Sequence, residues 1–288
     1  MTSAFGNVGV SETARVYGAS ELGVLSITAP GEAHPRVEYV GGEIFVGLTA
    51  AVTGAAVTQG ESQAWSRPFG DAVAAAIASA GLLPDAVDGV ILITDESLAA
   101  AVLVEPARLA TVSLASDPVV FVLSRDRLAI VGADDEAAVG RVLDLAEELF
   151  DAEGSLVSAH PIILTEDGWA PFGWFEKFPA LELRIQRALR LFSVRAYEAQ
   201  TAALQRPDVR YIDPKIRVLD SGATTTFAAW PKGTASLLPV VDNVIVADPS
   251  GALSVATMDQ FLDAGGDAII RTGLSPARYF VPGEPPRD

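Results

Sequence analysis

The stretch from Asp117 to Trp169 constrains the fold more than any other part of the chain. VVFVL and RLAIVG are continuous apolar runs of strand length, and Ser124–Arg125–Asp126 between them supplies a tight turn. Asp134 or Asp135 can cap the helix that follows, placing negative charge where the helix dipole favours it. Val139, Val142, Leu143, Ala146, Leu149 and Phe150 recur at steps of three and four, which gives that helix one apolar stripe. A further strand, HPIIL, runs through a turn at Asp167–Gly168 into Trp169. Two strands, a helix laid across them and a returning strand define an α+β layer.

This layer belongs to a unit expected to span residues 21–178. Near its start, LGVLSIT and the pair VEYV–GG–EIFVGL read as strands, the pair joined by a two-residue turn at Gly41–Gly42. Residues 49–60 carry no decisive pattern. A helix is expected over residues 67–80, entered by Pro68, with Phe69, Val73, Ala76, Ile77 and Ala80 on one face. VDGVILIT follows as a strand, and residues 96–110 as one or two short helical turns broken around Pro106. Residues 1–20 have neither a basic start nor a continuous apolar core, so they read as a flexible N-terminal arm rather than a secretory signal.

Several of these motifs together resemble a known family. Ser124–Arg125–Asp126 after an apolar strand, ADDEAAV opening the helix, HPIIL and the closing DGW are similar to the C-terminal module of a bacterial family of unknown function, the 1444 family. Upstream, FGDAVAAAIASAG followed by VDGVILITDESLAAAVLVEPARL resembles that family's helix, strand and leucine-rich run. The likeness covers residues 67–172 and rests on soft patterns of apolar residues and turns. It implies a bacterial protein, and it implies no activity, cofactor or catalytic residue.

A second unit is expected over residues 179–282, after the aromatic-rich junction PFGWFEKFP. A long helix over residues 180–205 carries Ile185, Ala188, Leu189, Phe192, Ala196, Ala199 and Ala203 at helical spacing, and Pro207 ends it. VRYIDPKIRVLD, ATTTFAAW, LLPVVDNVIVAD and SGALSVAT then read as sheet, with a short helix at residues 258–263 before DAIIRTG and ARYFV. Residues 283–288 are a tail. The expected class is α+β: two helix-on-antiparallel-sheet units joined by the aromatic junction and the long helix.

The chemistry of the chain is sparse. It has no cysteine, which excludes disulfides, thiol catalysis and thiolate metal sites and fits a cytoplasmic setting best. No apolar run approaches the roughly 20 residues of a membrane span, and a net charge of −17 argues against nucleic acid and anionic membranes as partners. Nucleotide fingerprints, P-loops and nucleophile elbows are missing, and no cofactor is expected. The two histidines, His34 and His160, both adjoin prolines and read as structural. Asp144, Glu147, Glu148 and Asp151 share a helix face and could hold a hard cation, but the solvated side of an amphipathic helix explains them, and no metal site is expected.

Charge distribution is more informative. Residues 177–217 hold nine of the chain's 20 basic residues against four acidic ones. Within them Arg184, Arg187 and Arg190 follow one helical stripe suited to planar contact with carboxylates or phosphates. Either this helix docks on the acidic first unit, or it binds an anion or an acidic partner from outside. Trp169, Phe172, Trp174, Phe175 and Phe178 crowd the junction; they form an apolar seam, or Trp174 and Phe175 stay exposed as a contact. The balance favours a non-enzymatic protein that binds a protein partner or forms a homo-oligomer. The alternative is an enzyme using carboxylates and arginines on a small anionic substrate, which needs such groups to converge in a concave site.

Overall fold

Every residue of Val119–Leu123 is at most 1% exposed. Side chains alternate across a strand, so so continuous an apolar run requires both faces of its sheet to be covered. The computed structural model, which describes residues 12–152, 154–204 and 207–283, shows how this is met. The chain opens with β1 (Glu12–Gly18), α1 (Ala19–Thr28), β2 (Val37–Gly41), β3 (Ile44–Ala50), α2 (Gln59–Gln63) and α3 (Phe69–Ile77). Then come β4 (Val90–Ile93), α4 (Glu96–Val104), β5 (Pro118–Ser124), β6 (Arg127–Gly132), α5 (Glu136–Asp151), β7 (Ile162–Thr165) and β8 (Gly168–Pro171). Short α6 (Trp174–Lys177) leads into long α7 (Glu182–Ala203). The remainder is β9 (Arg210–Tyr211), β10 (Lys215–Val218), β11 (Thr224–Pro231), β12 (Ser236–Pro239), β13 (Asn243–Ala247), β14 (Leu253–Thr257), α8 (Met258–Gly265), β15 (Ile270–Arg271) and β16 (Arg278–Val281).

The central sheet is antiparallel, in the order β4-β6-β5-β7-β8. One face, with Ile91, Ile93, Val120, Val122, Leu128 and Ile130, packs against α3, α4 and the three-stranded sheet β1-β3-β2. The other, with Val119, Phe121, Leu123, Ala129 and Val131, packs against α5 and α7. Phe121 lies opposite Ala129 across the strands and meets Trp174 edge to face, at 5.5 Å between ring centroids. Burying an aromatic of that size is worth roughly 2–3 kcal/mol. Asp135 rather than Asp134 caps α5, its Oδ1 accepting from the Ala138 amide at 2.8 Å.

The α+β class holds, and particular elements depart from expectation. Residues 12–18, read as arm, form β1: Ala14 and Val16 point into the core, and every residue pairs with β3. Residues 1–11 and most of the expected tail, 284–288, lie outside the described residues. LGVLSIT is helical, within α1, because it lies along α7 rather than beside another strand. The hairpin turns at Gly42–Glu43, one residue later than expected. Gly41 instead lets β2 approach β8, since a Cβ there would stand 2.6 Å from Trp169 Cβ. The six residues Leu98–Leu103 of α4 are all buried, so this helix is covered on every side.

Beyond α7 the sheets are β10-β11-β13-β14 and β15-β16-β12-β9. They are mixed rather than purely antiparallel, because β11 runs parallel to β13 and β12 parallel to β9. Between β11 and β13 the chain visits the other sheet as β12, so β13 returns alongside β11 in the same direction. A separate core of Ala228, Leu238, Val244, Met258 and Phe261 holds this unit. The expected boundary at residue 178 falls within a continuous core: Ile185, Ala188 and Phe192 of α7 pack with Trp174 and Phe178 on the central sheet.

Candidate functional site

The basic stripe of α7 is occupied from within. Arg184 Nη2 donates to Asp144 Oδ1 at 2.5 Å and to the Gly140 carbonyl at 2.8 Å. Arg187 Nε lies 3.0 Å from Glu147 Oε2, an ion pair without an aligned N–H. Arg190 forks onto Asp242, Nε to Oδ2 at 2.9 Å and Nη2 to Oδ1 at 3.1 Å. Two of the four carboxylates aligned on α5 thus face arginines, and no three or more His, Asp or Glu among the described residues come together as metal ligands would. Pairs this exposed contribute at most about 1 kcal/mol each. Their positions answer the sequence question: the stripe docks on α5 and on the C-terminal unit. Trp174 is 3% exposed beneath α7, which removes it as an exposed contact, and Phe175 beside it is 38% exposed.

Asp242 ties α7 to β11. Burial pushes its carboxyl upward in pKa, but hydrogen bonds from Arg190 and from the Thr226 amide and hydroxyl outweigh that and hold it at about 2 rather than 3.8. A lowered native value contributes stability above the unfolded value and loses it as pH falls toward the native one. Acid titration of the wild type should therefore lose about 1 kcal/mol, after allowance for solvent screening, between pH about 4 and about 2. Asp242→Asn should be less stable at neutral pH and show a flatter acid limb in that window, read by urea unfolding at a series of pH values.

The two histidines part company. His34 is structural, its Nδ1 3.1 Å from the Pro35 carbonyl and its Nε2 3.2 Å from that of Leu22. His160 lines a cleft of about 500 Å³ bounded by α1, the β5–β6 turn, residues 154–160, α7 and Pro276. Its apolar lining is Val24, Leu156, Leu189, Phe192, Ala196 and Ala199. Arg125, Arg195, Glu21, Glu43 and four serines are interspersed among them, Ser193 and Arg195 coming from α7 itself. Glu21 Oε1 accepts from Arg15 at 2.8 Å and from Arg125 at 2.5 Å. Ser158, itself 3% exposed, donates to Glu43 at 3.0 Å and accepts from the His160 amide at 3.0 Å. Arg195 donates to the Phe150 carbonyl at 2.9 Å and to Glu198 at 3.2 Å. In the sequence Arg195 is one of the basic residues of α7, five residues beyond the paired triplet and off its stripe, and Arg125 gives no signal beyond its turn.

A second feature lies on the C-terminal unit. One face of the sheet β10-β11-β13-β14 covers the local core through Ala228 and Val244, which leaves the opposite face to Ala229, Ile245 and Val255. Across that face, where Ala229, Leu253 and Val255 are exposed among the described residues, the register sets Ala229, Ile245 and Val255 in one row and Pro231, Ala247 and Leu253 in the next. Leu253 is 70% and Val255 68% exposed, and β14 is the sheet's edge.

No family model matches the chain. Nor does any curated protein or any solved structure match it. The α+β architecture, the cleft and the open sheet face are therefore read on their own chemistry, and no described helix is long and apolar enough to cross a membrane.

Proposed function

We propose that this protein is a non-catalytic binding protein that works as a homodimer, joined through β14. The observation that carries the reading is an unguarded sheet edge in a strongly acidic chain. Residues 249–257, PSGALSVAT, contain no charge, although the chain carries −17. Soluble proteins ordinarily protect an edge with charge, bulges or cover, and an exposed apolar edge is a template for pairing. The opposite edge shows the contrast: β10 presents Lys215 and Arg217 on the same open face. Antiparallel pairing of two β14 strands with Val255 near a two-fold axis would extend the sheet across both copies and set Leu253 and Val255 beside their counterparts, an isologous contact.

The catalytic alternative needs a nucleophile and base in contact, or carboxylates free to act. Ser158 is buried between Glu43 and a backbone amide, and among the described residues the His160 ring makes no hydrogen bond to any side chain. Glu21 is held by two arginines. The cysteine-free sequence supports a cytoplasmic setting, and the likeness of residues 67–172 to the 1444 family adds no activity to the reading.

Sedimentation equilibrium tests it. The wild type should sediment as a dimer in the micromolar range, and Val255→Lys, at an exposed position, should be a folded monomer. A wild-type monomer, or a dimer indifferent to Val255→Lys, would sink the proposal.

A further inference from the structure

The cleft between α1 and α7 has unused binding capacity of a particular kind. Its volume of about 500 Å³ lies within the range of small-molecule sites. Both of its carboxylates are engaged by the protein, Glu21 by Arg15 and Arg125, and Glu43 by Ser158. The hydroxyls of Ser20, Ser155 and Ser193, by contrast, make no hydrogen bond to the described residues, nor does the His160 ring. Arg125 and Arg195 are already paired, with Glu21 and Glu198, but the Nε–H of each is buried without an acceptor among the described residues, so the cleft's free capacity includes unmet donors. It calls for a ligand whose head is rich in acceptors.

The apolar lining sets the rest of the ligand. Leu189, Phe192, Ala196 and Ala199 follow one another along α7 as an apolar strip, and Val24 and Pro276 also line the cleft. Leu189 and Phe192 of this strip pack with the core of the central sheet, while Ala196 is half-buried and Ala199 exposed. An apolar body laid there would gain burial while its head reached the arginines.

We propose that this cleft binds a small organic anion with an apolar body, its charged head on Arg125 and Arg195 and its body along α7. Guanidinium groups match the planar geometry of a carboxylate, and the serine hydroxyls complete its acceptor positions. The site is separate from the β14 edge, so either reading can fail alone.

Octanoate is the probe, with octan-1-ol as its uncharged counterpart, and isothermal titration calorimetry is the readout. Octanoate should bind at one site per chain, and octanol about tenfold or more weakly, the loss expected for charge-assisted hydrogen bonds. Arg125→Gln and Arg195→Gln should each weaken octanoate by a similar factor without affecting octanol. Ser193→Trp, a substitution at an exposed position whose ring would fill the cleft, should abolish binding of both, and Val255→Lys should bind as the wild type does. Absence of octanoate binding, equal affinity for acid and alcohol, or undiminished binding by Ser193→Trp would each overturn the proposal. Since Arg195 also holds the end of α5, thermal unfolding accompanies that variant, and Arg125→Gln decides the point if Arg195→Gln is unstable.

Discussion

Arg278→Leu is expected to remove about 3–5 kcal/mol and to free the C-terminal unit from α7. Arg278 is fully buried, with 0% exposure, at the start of β16. Its Nε donates to Gln200 Oε1 at 2.5 Å, and its Nη1 to the carbonyls of Ile212 at 2.7 Å and Leu237 at 3.2 Å. Nη2 donates to the Tyr197 carbonyl at 3.1 Å and to Thr201 Oγ1 at 2.7 Å, with Asp213 Oδ1 at 3.5 Å. One side chain thus joins α7, the segment after β9 and β12. Burial draws its pKa below the ordinary arginine value, with Asp213 acting in the opposite direction, and a guanidinium stays charged regardless.

Leucine would supply the volume and none of the donors. The acceptors on Gln200, Ile212 and Tyr197 would be stranded out of water, and each unsatisfied buried group costs about 1–3 kcal/mol. Arg278→Lys should fall between, keeping the charge while one ammonium cannot reach acceptors spread over three elements. Urea unfolding gives the magnitude, and limited proteolysis should show cleavage beyond residue 203 in the leucine variant under conditions where the wild type resists. A leucine variant within 1 kcal/mol of wild type would mean the network is not what holds the two units together.

That network marks the boundary of what could be read from sequence. The α+β class, the buried strands of residues 118–132 and the helix after Asp135 followed from local pattern, because each has its period written in consecutive residues. Strand β1 did not: Thr13–Ala14–Arg15–Val16 alternates over only four residues, too short a run to stand out, and pairing with β3 is what marks Ala14 and Val16 as inward. Helix α7 was legible as a helix and ambiguous as a surface. Its single apolar stripe serves two purposes, since Ile185, Ala188 and Phe192 fill the core while Ala196 and Ala199 line the cleft.

Polar partners were least legible, for a physical reason. Arg278 meets Gln200 across 78 positions in the chain, and Arg125 meets Glu21 across 104, so no local spacing encodes either contact. The basic stripe was visible as charge, yet its role turned on Asp144, Glu147 and Asp242, which come from two other elements. The open sheet edge is the reverse case. Its signal was the uncharged run between Asp248 and Asp259, which the alternating pattern of β14 made easy to read as ordinary strand.

Gly23→Ala is expected to destabilise the protein, although helix propensity alone predicts the opposite. Alanine in place of glycine inside a helix is ordinarily worth about 1 kcal/mol in its favour. Gly23 lies buried within α1, where an added Cβ would run into the Ser275 carbonyl oxygen and stand 2.7 Å from Ser275 Cβ. The obstruction includes backbone, so a side-chain rotation cannot relieve it. Either α1 or the segment leading to β16 must move. Overpacking of this kind costs about 1–3 kcal/mol, enough to cancel the propensity gain and reverse its sign, and Gly23→Val should cost more. Because Val24 and Pro276 both line the cleft, the same displacement should also change octanoate affinity while leaving sedimentation unaltered. Equilibrium unfolding of the alanine variant settles the matter: a gain in stability would show that α1 and the Ser275 segment do not meet at Gly23.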